Sequence, residues 1–325
     1  MTRVRRWWRG WIELTSTRER GESLARFRIA VGLVIVYSLL SMIAADLVDV
    51  MWVDAAYGGL QTLDGKHWLV ALLGGRTPST AWTLVGSGLG LATLLVAGAG
   101  GRWTVLAMLQ VYYALVTAKS TLTGGYDTLI TNALWILFLS ECTATLSVDC
   151  RLRTGRFSSD REIPAWPRYV LIAQLLVVYG TTGLYKLSPV WTPGGDHSAL
   201  YWVFQDPTWR RFDMDFTASW YWLTQLATAV TWWWEVTAPL LLVVYWLRYT
   251  RQRGGRLRAW ANRYDLRKPW AALGIGLHLG IVALLDVGPF SPISLSYYLC
   301  LIPPRGSSPA AADRERPSTP ARPAA

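Results

Sequence analysis

Apolar runs of about 14 to 29 residues, separated by short polar connectors, recur from residue 29 to residue 302. They lack a period-two alternation and are too long for strands, so the pattern predicts helices. A hydrocarbon core of about 30 Å needs about 20 helical residues. The runs at 29–45, 81–99, 103–118, 128–146, 169–187, 219–247 and 270–287 are therefore predicted as membrane spans. The 219–247 run is too long to cross upright, which predicts a tilt or a Trp-rich start lying in the interface. An eighth segment, 289–302, is short and carries Pro289 and Pro292, so it is either a crossing, a half-helix or a re-entrant piece. The predicted fold is all-α: a polytopic integral membrane helical bundle of about seven to eight transmembrane helices plus interfacial helices. Residues 1–28 precede it, 29–302 form it, and the Pro/Ala-rich tail 303–325 is predicted to be disordered.

The first 28 residues are not a secretory signal, because no apolar core follows the basic start at once. Trp7, Trp8, Trp11, Ile12 and Leu14 make one apolar side of an interfacial helix, the alternative being a disordered basic tail. Two connectors are long. Residues 47–79 are partly apolar and predict a helix lying on the outer surface. Residues 188–218 are dense in Trp, Tyr, Pro and Asp, and read either as a lid over an outward-facing cavity or as an interface cap.

Composition sharpens the class. Apolar residues make up 52% of the chain and charged residues 16%, against about 25% charge in a soluble domain. There are 20 Trp and 15 Tyr but 7 Phe, an excess of amphipathic rings that suits a lipid headgroup region. A soluble globular protein, a disordered protein and a disulfide scaffold are excluded. The net charge of +11 does not point to nucleic acid, because the charges lie between apolar runs and not on one module. Their order carries topology. Residues 1–28 hold +5, 147–168 hold +2 and 248–268 hold +7, whereas 46–76, 119–127 and 186–215 hold −2, 0 and −1. Basic and non-basic connectors alternate, which predicts a multi-pass cell-membrane protein with a cytoplasmic N-terminus and the bilayer as its constant partner. Cys142, Cys150 and Cys300, with His67, His197 and His278, fit no metal-ligand spacing, and no metal is expected.

Candidate chemistry lies in polar groups within the apolar runs, where a charge costs about 2.5–3.5 kcal/mol on insertion scales. Lys186 closes the fifth run, and Tyr179, Thr182 and Lys186 share a helix face. A lysine in a poorly solvated cavity can serve as a base, whereas a snorkelling anchor is the plainer reading. Glu235 lies inside the sixth run, ahead of Pro239. His278 lies mid-run among Gly274, Gly276 and Gly280, and Asn132 lies one turn inside the fourth run. Each also has a structural reading as an interhelical hydrogen bond. The predicted orientation sets Asn132, Lys186 and Glu235 in the outer half and His278 near the middle. One shared outward-opening cavity is the expectation. Glu141 falls nearer the inner side and is set apart. No repeat or inverted half is visible, which disfavours a small-solute transporter.

With these residues in place, the chain resembles the horizontally transferred transmembrane (HTTM) family, which includes the vitamin K-dependent gamma-carboxylase. The matching pieces are Arg26-Phe27-Arg28-Ile29-Ala30-Val31-Gly32, Tyr126-Asp127 with Asn132, Ser147-Val148-Asp149, Lys186-Leu187 with Trp191, and the His278 helix. The resemblance covers roughly residues 24–302. It implies that Lys186 is a base toward a quinol such as menaquinol, with His278 and Asn132 as hydrogen-bonding groups of the quinol or oxyanion site. Glu235 matches an acidic position in the family's following helix. The carboxylase has Asn-Asn-His where this chain has Thr131-Asn132-Ala133-Leu134. The expected chemistry is therefore quinol- or lipid-linked and carboxylase- or oxidoreductase-like, without gamma-glutamyl carboxylation itself. The alternatives are a non-enzymatic membrane partner in the maturation of, or immunity to, an exported peptide, and a small-solute transporter.

Overall fold

The computed structural model describes residues 3–62, 67–119 and 122–304, and among these the regular elements are helices apart from one two-stranded ribbon. The tail from 305 onward lies outside the described residues. The helices are α1 (Arg3–Ser16), α2 (Glu22–Ala44), α3 (Val48–Trp52), α4 (Trp68–Leu72), α5 (Pro78–Ala97), α6 (Gly101–Ala118), α7 (Gly125–Leu139) and α8 (Val148–Thr154). They continue as α9 (Trp166–Tyr185), α10 (Ala199–Gln205), α11 (Tyr221–Thr237), α12 (Leu240–Tyr249), α13 (Arg256–Arg263), α14 (Arg267–Leu284) and α15 (Phe290–Tyr298).

Local chemistry sets the ends. Thr77 caps α5 by accepting from Thr80 N at 3.3 Å, with Pro78 in the first turn, where its missing N–H costs nothing. Ser147 caps α8 through Cys150 N at 2.9 Å. In sequence order α2 packs on α5, α5 on α6 and α6 on α7, while α9 packs on α11. The inward faces carry Phe27, Val31, Ile35, Leu84, Leu109, Ile130, Leu134 and Leu175, all buried. The outward faces are apolar as well: Leu33, Leu40, Leu94, Trp135, Leu139, Val177, Leu226 and Leu279 are exposed. Helices that are apolar all round suit a lipid surround.

The count of spans departs from expectation. Among the described residues two helices, α2 and α5, are long and apolar enough to cross a membrane, and a third is reached if α11 and α12 are one bent span. Polarity and length explain the shortfall from seven or eight. Helix α7 has 15 residues, about 22 Å at 1.5 Å each. Helices α9 and α14 carry Arg168, Gln174, Arg267, Lys268 and His278. The predicted 219–247 span is broken into two helices. Helices α11 and α12 meet at 52° about Ala238-Pro239, where proline removes an N–H and crowds the preceding turn.

Segment 289–302 forms α15 and a closing 3₁₀ turn. Ser291, Ile293, Ser294, Tyr297 and Tyr298 are buried there, packed among α2, α7, α9 and α14, so this piece is interior to the bundle. The predicted surface helix in 47–79 is two five-residue helices, α3 and α4, with residues 63–66 outside the described set.

Helix α1 forms as predicted. It leaves Trp7, Trp8 and Ile12 exposed, while Trp11 stacks on Trp246 at 5.5 Å. A ribbon of β1 (Arg18–Arg20) and β2 (Glu162–Pro164), which the sequence pattern does not show, follows it. Beside the ribbon, Arg168 and Glu19 form a buried bidentate pair at 2.7 and 2.6 Å. Segment 188–218 is a folded layer. Phe204 and Met214 pack on Leu285, and backbone bonds Arg211 N to Leu284 O and Asp286 N to Trp209 O fasten it to the end of α14.

Candidate functional site

Helix α9 ends on Lys186, and α11 brings Glu235 to it. The ammonium donates to both carboxylate oxygens, at 2.7 and 2.6 Å. The glutamate side chain is 8% exposed and the lysine 21%, so the pair is largely out of water. Trp191 covers it, with Nζ 4.4 Å from the ring centre, a cation–π contact that stabilises a desolvated ammonium further. Close approach of the helices requires Gly183. A Cβ there would stand 2.8 Å from Val236 N and 2.9 Å from Glu235 Cβ.

About two turns deeper on the same face of α9 lies Tyr179, the start of a second polar group. Its hydroxyl meets His278 Nε2, Tyr298 donates to it at 3.2 Å, and His278 Nδ1 meets Ser291 Oγ at 3.2 Å. One proton arrangement satisfies all of them: Tyr298 to Tyr179, Tyr179 to Nε2, and Nδ1–H to Ser291. Rings wall this group. Trp234, next to Glu235 in the chain, lies 4.5 Å from Tyr179 and stacks on Trp270 at 4.8 Å, and Trp270 stacks on Tyr298 at 5.9 Å. Trp234 Nε1 donates to Trp270 O at 3.1 Å, so the wall is pinned by hydrogen bonds as well as by packing. The two groups are thus neighbours on α9 and α11, separated by the aromatic wall.

Of the four residues singled out in the sequence, Lys186 and Glu235 are in direct contact, and His278 joins Tyr179. Asn132 joins neither. It is half-buried on α7, and its amide makes no hydrogen bond among the described residues. The hydroxyl stripe on α9 also breaks, since Thr182 turns back to Val178 O at 2.7 Å on an exposed side. Tyr298, Ser291, Trp234 and Trp270 enter the site without any sequence signal beyond being polar or aromatic within apolar runs.

Other matching pieces of sequence form structural joints. Asp127 accepts from Gly124 N at 2.9 Å, Tyr112 Oη at 2.9 Å and Lys119 Nζ at 3.0 Å, and Lys119 also donates to Tyr126 Oη at 3.1 Å. That buried carboxylate, held by three donors, closes the α6–α7 hairpin. Arg28, wholly buried, donates to Leu146 O at 2.6 Å, and Asp149 accepts from Gly100 N at 2.9 Å.

The family model for the HTTM domain matches residues 18–257. The matched region contains Asn132, Lys186 and Glu235 and ends before the helix of His278. No curated protein and no solved structure matches the chain.

Proposed function

The chain belongs to the HTTM family, and on that premise we propose that Lys186, held by Glu235, is the base of quinol- or lipid-linked chemistry at the membrane. The observation that carries the reading is the buried contact of amine and carboxylate under Trp191. In a dry site an ammonium touching a carboxylate can pass its proton across and leave a neutral amine beside a neutral acid. Glu235 is then the internal acceptor that frees Lys186 to take a proton from a hydroxyl. The flat ring of Trp191 against that amine suits a planar aromatic quinol in chemistry. A quinol, when bound, supplies an acidic hydroxyl and an oxidisable ring system. Tyr179 and His278 supply hydrogen bonds deeper along α9, and the pinned aromatic wall keeps water from them. Asn132 has no place in this arrangement, and its predicted role is not carried further.

Lys186→Arg tests the proposal. Arginine keeps the charge and the bond to Glu235 but does not give up its proton. In lipid nanodiscs under air, with dioxygen as the oxidant, the variant is expected to fold as the wild type does and to lose protein-dependent oxidation of added menaquinol, followed by its ultraviolet change, by at least about 100-fold. Full activity in Lys186→Arg would make the lysine an anchor and leave the non-enzymatic readings, with exported-peptide maturation first among them.

The orientation we propose follows from the connector charges: 248–268 inside and 188–218 outside. The three native cysteines are buried and can be replaced. Exposed positions 194 and 257 accept cysteine without a close contact at 194. An impermeant maleimide on intact cells should label Gly194→Cys and not Leu257→Cys. The reverse pattern would invert the topology.

A further inference from the structure

At the opposite end of the bundle from Lys186, the start of α6 and the segment after α7 enclose a cavity of about 340 Å³. Its walls include Arg102, Arg153, Arg161, Glu141, Asp149 and Trp103. Two carboxylates face three guanidinium groups, and both carboxylates are already engaged. Glu141 pairs with Arg161, and Asp149 accepts the N–H of Gly100. Arg153 spends one nitrogen on Thr143 O at 2.7 Å, and Arg102 has no hydrogen-bond or ion-pair partner among the described residues. The unspent donors are thus cationic. The first N–H groups of α6 open on the same side and lack intrahelical partners, which adds positive potential.

The surroundings identify where an anion would come from. Trp103, at the cavity wall, is 71% exposed, and Leu152, beside Arg153 in the chain, is 80% exposed. Large apolar side chains interleaved with arginines at a helix end fit the headgroup level of a bilayer and would be costly in bulk water. The connectors carrying these arginines are the basic ones, which face the leaflet rich in anionic lipid.

We infer that this cavity holds the phosphate of an anionic lipid headgroup, with Arg102 and Arg153 as its main ligands. The site is separate from Lys186 and needs no assumption about chemistry there; only its assignment to the inner leaflet shares the orientation proposed above. Guanidinium groups bind phosphate oxygens through paired N–H bonds, and Trp103 would hold the adjoining glycerol at the interface.

The test is lipid retention by the whole protein in mixed micelles, read by native mass spectrometry during titration with phosphatidylglycerol. Each basic side chain lost is expected to weaken binding about fivefold, and Arg102→Gln with Arg153→Gln about 25-fold together. Arg102→Lys, which keeps the charge but loses the paired N–H bonds, should weaken binding less than Arg102→Gln. Arg253→Gln with Arg256→Gln removes the same charge from another inner connector and should leave retention near wild type. Equal retention by the cavity double variant would overturn the inference. So would an equal loss in the control pair, which would reduce the effect to overall charge. Displacement of phosphatidylglycerol by millimolar inorganic phosphate would assign the cavity to a soluble phosphate and overturn the lipid assignment.

Discussion

Lys186→Met is expected to destabilise the folded protein by about 3 kcal/mol, while Lys186→Met combined with Glu235→Leu recovers most of that loss. The single change leaves a carboxylate that is 8% exposed without its cation. Breaking a buried pair from one side costs about 3–5 kcal/mol, and the lysine's 21% exposure sets the lower end of that range. Glu235 can reduce the cost only by taking up a proton. Removing both charges ends the problem, since an apolar pair of similar volume is often neutral or stabilising. The reverse single variant, Glu235→Gln, should cost less than Lys186→Met. The freed lysine sits at a helix end and can swing its ammonium toward water along its flexible stem. Equilibrium unfolding in mixed micelles compares these three variants with the wild type. A loss below about 0.5 kcal/mol in Lys186→Met would mean that the pair is open in the folded protein, and the proton-sharing argument would fall with it.

How much of this was readable beforehand depends on the kind of fact. The helices were legible because apolar runs of that length have few other solutions. Lys186 and Glu235 were legible one by one, as charges that lipid does not tolerate, and their depth placed them in the same half. Their bond was not, since 49 residues separate them and no local pattern encodes which face of α11 meets α9. Tyr298 was hidden for a similar reason. It comes from a proline-bearing segment that looked marginal as a span and proved to be an interior helix lining the His278 group. The number of crossings was overread because a hydropathy window treats each run alike. The bend at Pro239 and the brevity of α7 are properties of a folded bundle in which short helices are shielded by their neighbours. The ribbon of β1 and β2 has three residues a side, too few for any alternation to register.

The family-like motifs sort unevenly between chemistry and architecture. The stretch around Lys186 and the His278 helix lie in the candidate site. The pieces at Arg28, Tyr126-Asp127 and Ser147–Asp149 instead tie helices together at their ends. A sequence shows that a polar residue sits where lipid would reject it; only the partner tells whether it reacts or holds. Asp127 is buried and held by three donors from its own hairpin, whereas Lys186 has a single partner that can accept its proton.

That architectural role predicts the second large effect. Gly98→Ala should destabilise the protein by at least about 3 kcal/mol, although it adds one methyl group. Gly98 ends α5 at φ +70°, where an L-residue costs about 1–2 kcal/mol. Its Cβ would lie 1.7 Å from Arg28 Nη1 and 2.5 Å from Ser147 Cβ. The guanidinium is wholly buried and cannot yield cheaply. Moving it stretches the 2.6 Å bond to Leu146 O, and its Nε and Nη1 already lack partners. Leaving a buried charged donor unmatched adds about 1–3 kcal/mol or more. The backbone is equally constrained, because Gly98 N closes on Leu94 O at 2.8 Å and Gly98 O accepts from Asp149 N at 3.1 Å. Gly90→Ala in the same helix is the control: nothing lies within 4 Å of its Cβ, and alanine is the better helix former. Unfolding midpoints in micelles should place Gly98→Ala far below wild type and Gly90→Ala at or slightly above it. Shortening the guanidinium by Arg28→Met removes the atom that the methyl group meets, so Gly98→Ala should cost clearly less in that background than in the wild type. If Gly98→Ala and Gly90→Ala unfold together, the joint between Arg28 and the residue 146–149 turn does not hold this end of the bundle.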